Sequence, residues 1–222
     1  EQAASDPTLY ASLDGFWEGN NVGTRSVKVV TGELPGHGNG EILVGAHHDS
    51  VYISPGAVDN AVGVAQLFEV ATQLSELNLE STVTFATWGG EELGLLGSQA
   101  YIQSYTEEVE NLDLYINLDS TNLNPSIGLG TLGIETSDQS LVESISKIQR
   151  SVLGHEVWAD YEANVLLNEF GGNSDHRSFN QHGTTTVGFY GWEYEQYHRP
   201  TDVPDVVHQD GLALTVEIVL QI

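Results

Sequence analysis

Apolar residues recur along this chain in two alternating patterns from about residue 27 to the C terminus. Short β-branched and apolar runs predict strands at 27–30, 41–46, 82–88, 112–118, 126–134 and 184–190. Apolar residues three or four positions apart predict helices at 61–77, 93–105, 138–153 and 174–182, and in the tail from Pro204. This alternation predicts an α/β fold with a mixed, largely parallel central sheet and helices on both faces.

The chain has 222 residues, enough for one large α/β domain, and no linker-like stretch divides it. We therefore predict a single domain over 1–222. Residues 1–26 follow neither pattern, so we expect irregular structure there, with Phe16 and Trp17 as anchors onto the body. No run of eighteen apolar residues predicts a membrane span, and the first ten residues do not form a signal peptide.

Charge and cysteine content narrow the possible partners. The chain has 32 Asp and Glu against 6 Lys and Arg, a formal charge of −26. Nucleic acid and anionic membranes are excluded as partners, because their phosphates would be repelled. The same charge predicts a halophilic protein, since concentrated salt would screen the repulsion. With no cysteine, a metal site would have to use histidine and carboxylate ligands.

Charged side chains follow three predicted strands at the points where those strands end. The residues in question are His47 and Asp49 after 41–46, Glu91 and Glu92 after 82–88, and Asp119 after 112–118. Asp59 follows in the loop that leaves the first of these strands. Because the carboxyl ends of parallel strands meet at one edge of a sheet, and ligands bind there, these side chains form a candidate site. Imidazole and carboxylate ligands suit zinc or a similar ion.

Each signal also has an ordinary explanation when taken alone. His47 could be a surface histidine, Asp59 could be the N-cap of the following helix, and the Glu91–Glu92 pair could decorate a helix N terminus. Their joint placement at one sheet edge favours a functional site.

Six motifs in this order carry a resemblance to a known family. They are VGAHHDS (44–50), PGAVDN (55–60), WGGEELGLLGS (88–98), NLD (117–119), SDHRSF (174–179) and YHRPTD (197–202). With these motifs the chain resembles the two-zinc aminopeptidases of the bacterial leucyl aminopeptidase type, which are related to the glutaminyl cyclases. The resemblance implies a zinc-exopeptidase-like three-layer α/β/α fold. That family usually carries a helical segment before the first strand, and residues 1–20 are too short to supply it.

The resemblance also implies roles for individual residues. Two Zn²⁺ ions per chain would be bound by His47 and Asp119 on one side and by Glu92 and His198 on the other, with Asp59 bridging them. Glu91 would be the general base, Asp49 would orient His47, and Tyr197 would face the developing oxyanion. A cis peptide bond between Asp59 and Asn60 is implied as well.

The implied activity is release of the N-terminal residue, with apolar residues preferred, from peptide substrates outside the cell. A single-zinc glutaminyl cyclase and a carboxypeptidase or dipeptidase on the same scaffold are the alternatives. Asp175 and Asp202 either hold ligand residues in place or cap loops, and both readings stay open. Four histidines match no ligand position and are expected to be surface or structural residues: His37, His155, His182 and His208. His48 and His176 lie inside motifs but are not expected to be ligands. The sequence carries no signal for an oligomeric state.

Overall fold

The computed structural model describes residues 25–191 and 194–222, together with the backbone of three strand segments nearer the N terminus. The strands are β1 (Leu9–Leu13), β2 (Phe16–Trp17), β3 (Asn20–Asn21), β4 (Arg25–Leu34), β5 (Glu41–His47), β6 (Thr82–Trp88), β7 (Leu114–Asp119), β8 (Thr131–Thr136), β9 (Glu162–Leu167) and β10 (Thr186–Tyr190). The helices are α1 (Val62–Ser75), α2 (Leu96–Ser104), α3 (Thr106–Glu110), α4 (Gln139–Leu153), α5 (His176–Gln181) and α6 (Gln209–Val219).

Eight strands form one sheet in the order β1-β4-β6-β5-β7-β10-β8-β9. The pairs β5–β6, β5–β7, β7–β10 and β8–β9 are parallel, whereas β1–β4, β4–β6 and β8–β10 are antiparallel. The predicted mixed, largely parallel α/β sheet is confirmed. Its three central parallel strands are β6, β5 and β7, which are the strands followed by the candidate residues.

Apolar side chains cover both faces of the sheet. On one face Val44, Ile116 and Leu118 pack with residues of α1, α4 and α6 in the larger core cluster. On the other face Trp88, Tyr115 and Phe179 form an aromatic cluster in which the Tyr115 and Phe179 ring centroids are 4.1 Å apart. Because alternate strand residues point to opposite faces, the cluster containing Trp88 and Tyr115 lies on the same face as the strand-end residues.

Several predicted boundaries are wrong for identifiable reasons. The helix predicted at 93–105 begins at Leu96, because Gly90, Gly94 and Leu95 have positive φ angles that a helix does not accommodate. The strand predicted at 126–134 begins at Thr131, after a 3₁₀ turn that ends at Gly128 with φ 81°. In the tail, a 3₁₀ turn at Pro204–Val206 precedes α6. The 27–30 strand is longer than predicted, because β4 pairs on both sides, with β1 and β6.

Four strands were not predicted: the edge strand β9 and the three strands nearest the N terminus, β1, β2 and β3. β9 is a mostly exposed edge strand, and its apolar run is only three residues long, Val165 to Leu167. β1 lies in the region expected to be irregular, and it is held by pairing with β4 rather than by a pattern of its own. The expected anchoring side chains of Phe16 and Trp17 lie outside the described residues. Among the described helices, none has the length and apolar character needed to cross a membrane.

Candidate metal centre

The carboxyl ends of β6, β5 and β7 bring the predicted residues together. His47 is the last residue of β5 and pairs in register with Trp88, the last residue of β6. Asp119 is the last residue of β7, on the other side of β5. Glu91 and Glu92 follow β6 in a tight turn that starts with Gly90, whose φ of 77° favours glycine.

Asp49 holds the turn that carries the two glutamates. Its Oδ1 accepts a hydrogen bond from the Glu91 N–H (3.1 Å) and its Oδ2 one from the Glu92 N–H (3.3 Å). The His47 Nδ1 lies 3.1 Å from the main-chain oxygen of Asp49 and 3.7 Å from its carboxylate. The Asp49 main chain is thus the closer partner of His47, and its carboxylate positions the glutamates.

Asp59 lies in a distorted helical turn, Ala57–Ala61, and the predicted cis peptide bond to Asn60 is confirmed. The interpretation of Asp59 as the N-cap of α1 is wrong, because the side chain that accepts a hydrogen bond from the first turn of α1 is that of Asn60. The Asn60 Oδ1 accepts hydrogen bonds from the Gly63 and Ser120 N–H groups, both at 3.1 Å. Its Nδ2 donates to the Leu118 carbonyl at 2.9 Å, so this side chain ties the start of α1 to the end of β7.

Asp202 supports Asp59 from the opposite side. Its Oδ1 accepts a hydrogen bond from the Val58 N–H (2.9 Å), and its Oδ2 accepts from the Asp59 N–H (3.1 Å) and the Tyr194 hydroxyl (3.3 Å). Asp202 is fully buried. The Asp202 carboxylate thus holds the main chain at Val58 and Asp59, and Asp59 is a candidate ligand.

Two groups of candidate ligands share the Asp59 carboxylate. The strand-end group contains His47, Asp59 and Asp119: the His47 Nε2 lies 3.1 Å from Asp59 Oδ1 and 3.3 Å from Asp119 Oδ1. The loop group contains Asp59, Glu92 and His198: the His198 Nε2 lies 3.1 Å from Asp59 Oδ2 and 3.2 Å from Glu92 Oε2. Each oxygen of Asp59 therefore faces a different histidine.

These separations fit two zinc ions. Ligand atoms about 2.1 Å from a tetrahedral centre are about 3.4 Å from one another, close to the observed distances. Moreover, His198 Nε2 is buried and makes no hydrogen bond of good geometry to either carboxylate nearby. Glu92 Oε1 is also buried without a hydrogen-bond partner. Such orphaned atoms are costly unless something else, such as a cation, satisfies them.

His198 and Tyr197 come from the loop after β10. The backbone of His198 is left-handed (φ 56°), which is uncommon for a residue with a side chain. The Tyr197 ring stacks on the His198 ring, with centroids 3.8 Å apart, and is about half exposed. Burial and the neighbouring carboxylates raise the pKa of Tyr197 to about 12, so its phenol stays a hydrogen-bond donor at neutral pH.

Positive charge is favoured in the strand-end group. Burial opposes protonation of His47, but the charge of the Asp119 carboxylate and the nearby Asp49 and Asp59 carboxylates raise the pKa of His47 well above its usual value. Burial works against ionisation of Asp119 too, yet the His47 charge and hydrogen bonds lower the pKa of Asp119 to about 2. A cation bound there would take the place of the proton on His47.

The two glutamates differ in their surroundings. Burial first, and then nearby carboxylates, raise the pKa of Glu91 to about 9. Burial and the Asp59 charge raise the pKa of Glu92 to about 7. Bound cations would act in the opposite direction on both groups. Glu92 belongs to the loop group, whereas Glu91 lines the cleft beside both groups and belongs to neither.

A cleft of about 440 Å³ opens over the centre. It is lined by His47, Asp59, Glu91, Asp119 and Tyr197, and it continues to Ser174, His176, Asn168 and Glu135. None of these four was predicted as a site residue: Ser174 and His176 lie in a motif but had no predicted role, and Asn168 and Glu135 lie in no motif and follow none of the three central strands. Asp175, the residue before α5, is fully buried, and its side chain makes no capping hydrogen bond to that helix. Burial raises the pKa of Asp175 to about 7.

The other histidines stay outside the candidate metal groups found among the described residues. His37 contacts the Leu79 carbonyl through Nδ1 at 2.6 Å, and His208 lies 3.4 Å from the Tyr161 hydroxyl. His48 is exposed at the surface, and partial burial of its ring lowers its pKa. His176 instead contacts Glu135.

Known proteins are similar to this chain in both sequence and fold. It is 30% identical over 201 residues to a probable lipoprotein aminopeptidase, LpqL, of Mycobacterium tuberculosis, covering 78% of this chain and 40% of that protein. It is 29% identical over 187 residues to aminopeptidase YwaD of Bacillus subtilis, covering 80% of this chain and 39% of that protein.

Solved structures with similar folds include BSAP, a zinc aminopeptidase from Bacillus subtilis (TM-score 0.76, 25% identity, 87% of this chain and 48% of that one). An aminopeptidase from Aneurinibacillus sp. strain AM-1 gives a TM-score of 0.74 with 29% identity, covering 89% of this chain and 47% of that one. The chain thus spans less than half the length of these relatives. Residues 29–222 match the sequence profile of Peptidase family M28. The chain belongs to peptidase family M28.

Proposed function

We propose that this protein is a zinc-dependent aminopeptidase that hydrolyses the N-terminal peptide bond of peptide substrates. The observation that carries the proposal is the pair of ligand groups that share Asp59, with Glu91 beside both and outside both. The named relatives, which are aminopeptidases, support the same conclusion.

In this proposal His47 and Asp119 would hold one Zn²⁺, Glu92 and His198 would hold the other, and Asp59, which belongs to both groups, would be a ligand in each. Zinc at such a site supplies Lewis acidity, which makes water more acidic and polarises a carbonyl group. Asp49, Asn60 and Asp202 hold these ligands in place through the hydrogen bonds described above.

Glu91 is the general base of the proposed reaction. Its carboxylate takes the proton of the attacking water and gives it to the leaving amine, so one group serves both proton transfers. Glu92 differs because it is a ligand, which leaves only Glu91 free to exchange a proton. Tyr197, whose phenol keeps its proton, donates a hydrogen bond to the oxygen of the scissile carbonyl as negative charge develops there.

Two features disfavour the alternatives. A glutaminyl cyclase would need one ligand group, and two are present among the described residues. A carboxypeptidase or dipeptidase would need a cationic side chain for the substrate carboxylate, and none of the described residues lining the cleft is Lys or Arg. We also propose one catalytic domain over 1–222, an extracellular setting and adaptation to salt, the last of which rests on the charge of −26.

Glu91→Gln tests the proposal, because the amide removes the base and leaves the ligands. We expect kcat for aminoacyl-p-nitroanilides to fall about 100-fold or more. Metal analysis after dialysis against zinc should still give two ions per chain. Glu110→Gln, the same change at an exposed position, is the control. Normal turnover of the Glu91 variant would show that another group is the base, and loss of zinc would show that Glu91 is a ligand.

A further inference from the structure

Away from the metal groups, the cleft ends at a carboxylate that the proposed reaction does not use. Glu135 of β8 pairs with Gly188 of β10, which pairs with Asn117 of β7. Paired residues point to the same face of a sheet, so Glu135 lies on the face that carries Asp119. Gly188 leaves room for the His176 ring, since a Cβ there would lie 2.8 Å from His176 Nε2.

Glu135 is held in place from two sides. The His176 Nε2 lies 2.6 Å from its Oε1, and the Asn168 Nδ2 donates to its Oε2 at 2.7 Å. Burial works against ionisation of Glu135, but these hydrogen bonds outweigh it and keep its pKa below the usual value. Among the ion pairs of the described residues, none joins Glu135 to a lysine or arginine.

The hydrogen bonds of His176 indicate where its proton lies. Its Nε2 contacts the carboxylate, so Nε2 carries a proton and donates it. Its Nδ1 is buried and has no hydrogen-bond partner. The residue as a whole is 4% exposed and contributes to the lining of the cleft. A proton on Nδ1 would make it an unpaired buried donor, whereas an unprotonated Nδ1 is a hydrogen-bond acceptor. In this tautomer the pair keeps the negative charge of Glu135.

The position of Glu135 suits a long side chain. It lies two strands from Asp119 and level with Asn117, which is two residues earlier in β7. Strands about 4.8 Å apart and a rise of about 3.3 Å per residue place the two Cα atoms roughly 12 Å apart. A lysine or arginine side chain with its four-carbon or three-carbon stem can cross most of this gap, whereas a short side chain cannot.

We propose that Glu135, together with Asn168 and His176, binds the cationic end of a lysine or arginine at the N terminus of the substrate. This inference rests on the proposed aminopeptidase function and replaces the expected preference for apolar residues. Glu135 would then determine specificity, because its carboxylate is the charged group that meets the cation.

The sharpest test compares lysine with norleucine, which has the same carbon chain and no ammonium group. We expect the zinc-loaded protein to hydrolyse lysyl-p-nitroanilide with a kcat/KM roughly 10- to 100-fold above that of the norleucyl compound, the value of one hydrogen bond between charged groups. Glu135→Gln should reduce this ratio to near one. The ratio cancels any loss of folded or metal-loaded protein, because both substrates meet the same sample.

Glu162→Gln, an exposed change on the neighbouring β9, is the matched control and should keep the wild-type ratio. Arginyl and citrullyl substrates provide a second charged and neutral pair. A wild-type ratio of one or below would overturn the inference and leave the Glu135–His176 pair as a tether between β8 and α5. A Glu135→Gln ratio equal to that of the wild type would overturn it as well. Failure to hydrolyse any aminoacyl substrate would instead contradict the proposed function.

Discussion

The strand-end group and the loop group differ in how the fold holds them. In the strand-end group the side chains of His47 and Asp119 are 1% and 18% exposed, and both residues are the last of central parallel strands. In the loop group Glu92 lies in a tight turn and His198 in an irregular segment, and the His198 side chain is 36% exposed. Only Asp59 belongs to both.

This difference indicates which part of the candidate metal centre is rigid. The end of β5 pairs with β6 at His47 and Trp88, and the end of β7 pairs with β10 at Asp119 and Tyr190, so His47 and Asp119 are positioned before any cation binds. The His198 ring depends on one stacking neighbour and on a left-handed backbone. We therefore expect the strand-end group to bind its cation more tightly than the loop group.

The largest effect is expected from removing the ligand that the groups share. Asp59→Ala should reduce kcat/KM by about 1,000-fold or more, because each of the two proposed metal sites would lose an oxygen ligand. Zinc content after dialysis should fall at both sites. Asp205→Ala, an exposed change, is the control. Retention of two zinc ions by the Asp59 variant would break the interpretation of two groups joined by one carboxylate.

A smaller effect separates the groups directly. His198→Ala should lose one zinc ion per chain and keep the other, because the strand-end group retains all its side chains. His47→Ala should leave less zinc bound than His198→Ala under the same dialysis. In the wild-type protein, titration with a chelator should remove the two ions in two steps, with affinities about tenfold or more apart. A single step, with equal losses in the two variants, would contradict the comparison.

Tyr197→Phe tests the residue that supports the loop group. The phenyl ring can still stack on His198, so zinc content should not change, while the hydroxyl is lost. We expect kcat to fall about 10- to 100-fold with little change in KM, because the phenol acts on charge that develops during the reaction. If kcat stays within about twofold, the ring only supports His198. Tyr52→Phe, a fully exposed tyrosine, is the matched control.

Salt should have the smallest effect on zinc binding at the candidate metal centre, but it should clearly change the thermal stability of the whole chain. With a charge of −26, self-repulsion destabilises the compact state at low ionic strength. At about 1 M salt the screening length falls to roughly 3 Å, so the melting temperature should rise by several degrees between about 0.1 M and 2 M KCl. The buried strand-end group should keep its zinc in both. A melting temperature that is flat or falls with salt would contradict halophilic adaptation.

The sequence was most informative where a local pattern coincides with a strand end. The apolar runs before His47, Glu91 and Asp119 predict three strands, and all three form neighbouring parallel strands. The cis bond at Asp59–Asn60 was also predicted, from the resemblance. Boundaries were less accurate where backbone conformation decides, as at Leu95, because a positive φ at a residue with a side chain has no signal in the apolar pattern.

By itself, the sequence determined the α/β class, the polar residues that follow each central strand, and the chemistry of the candidate ligands. These follow from periodicity and residue type. Only the tertiary structure decided how these parts are held. It assigned the helix cap to Asn60, the support of the glutamate turn to Asp49 and that of Asp59 to Asp202. It also placed His176 against Glu135. Apart from the local bond between Asn60 and Gly63, these hydrogen bonds join residues more than forty positions apart in the chain. The physical reason is that packing of the sheet selects their partners, and no local pattern records that packing.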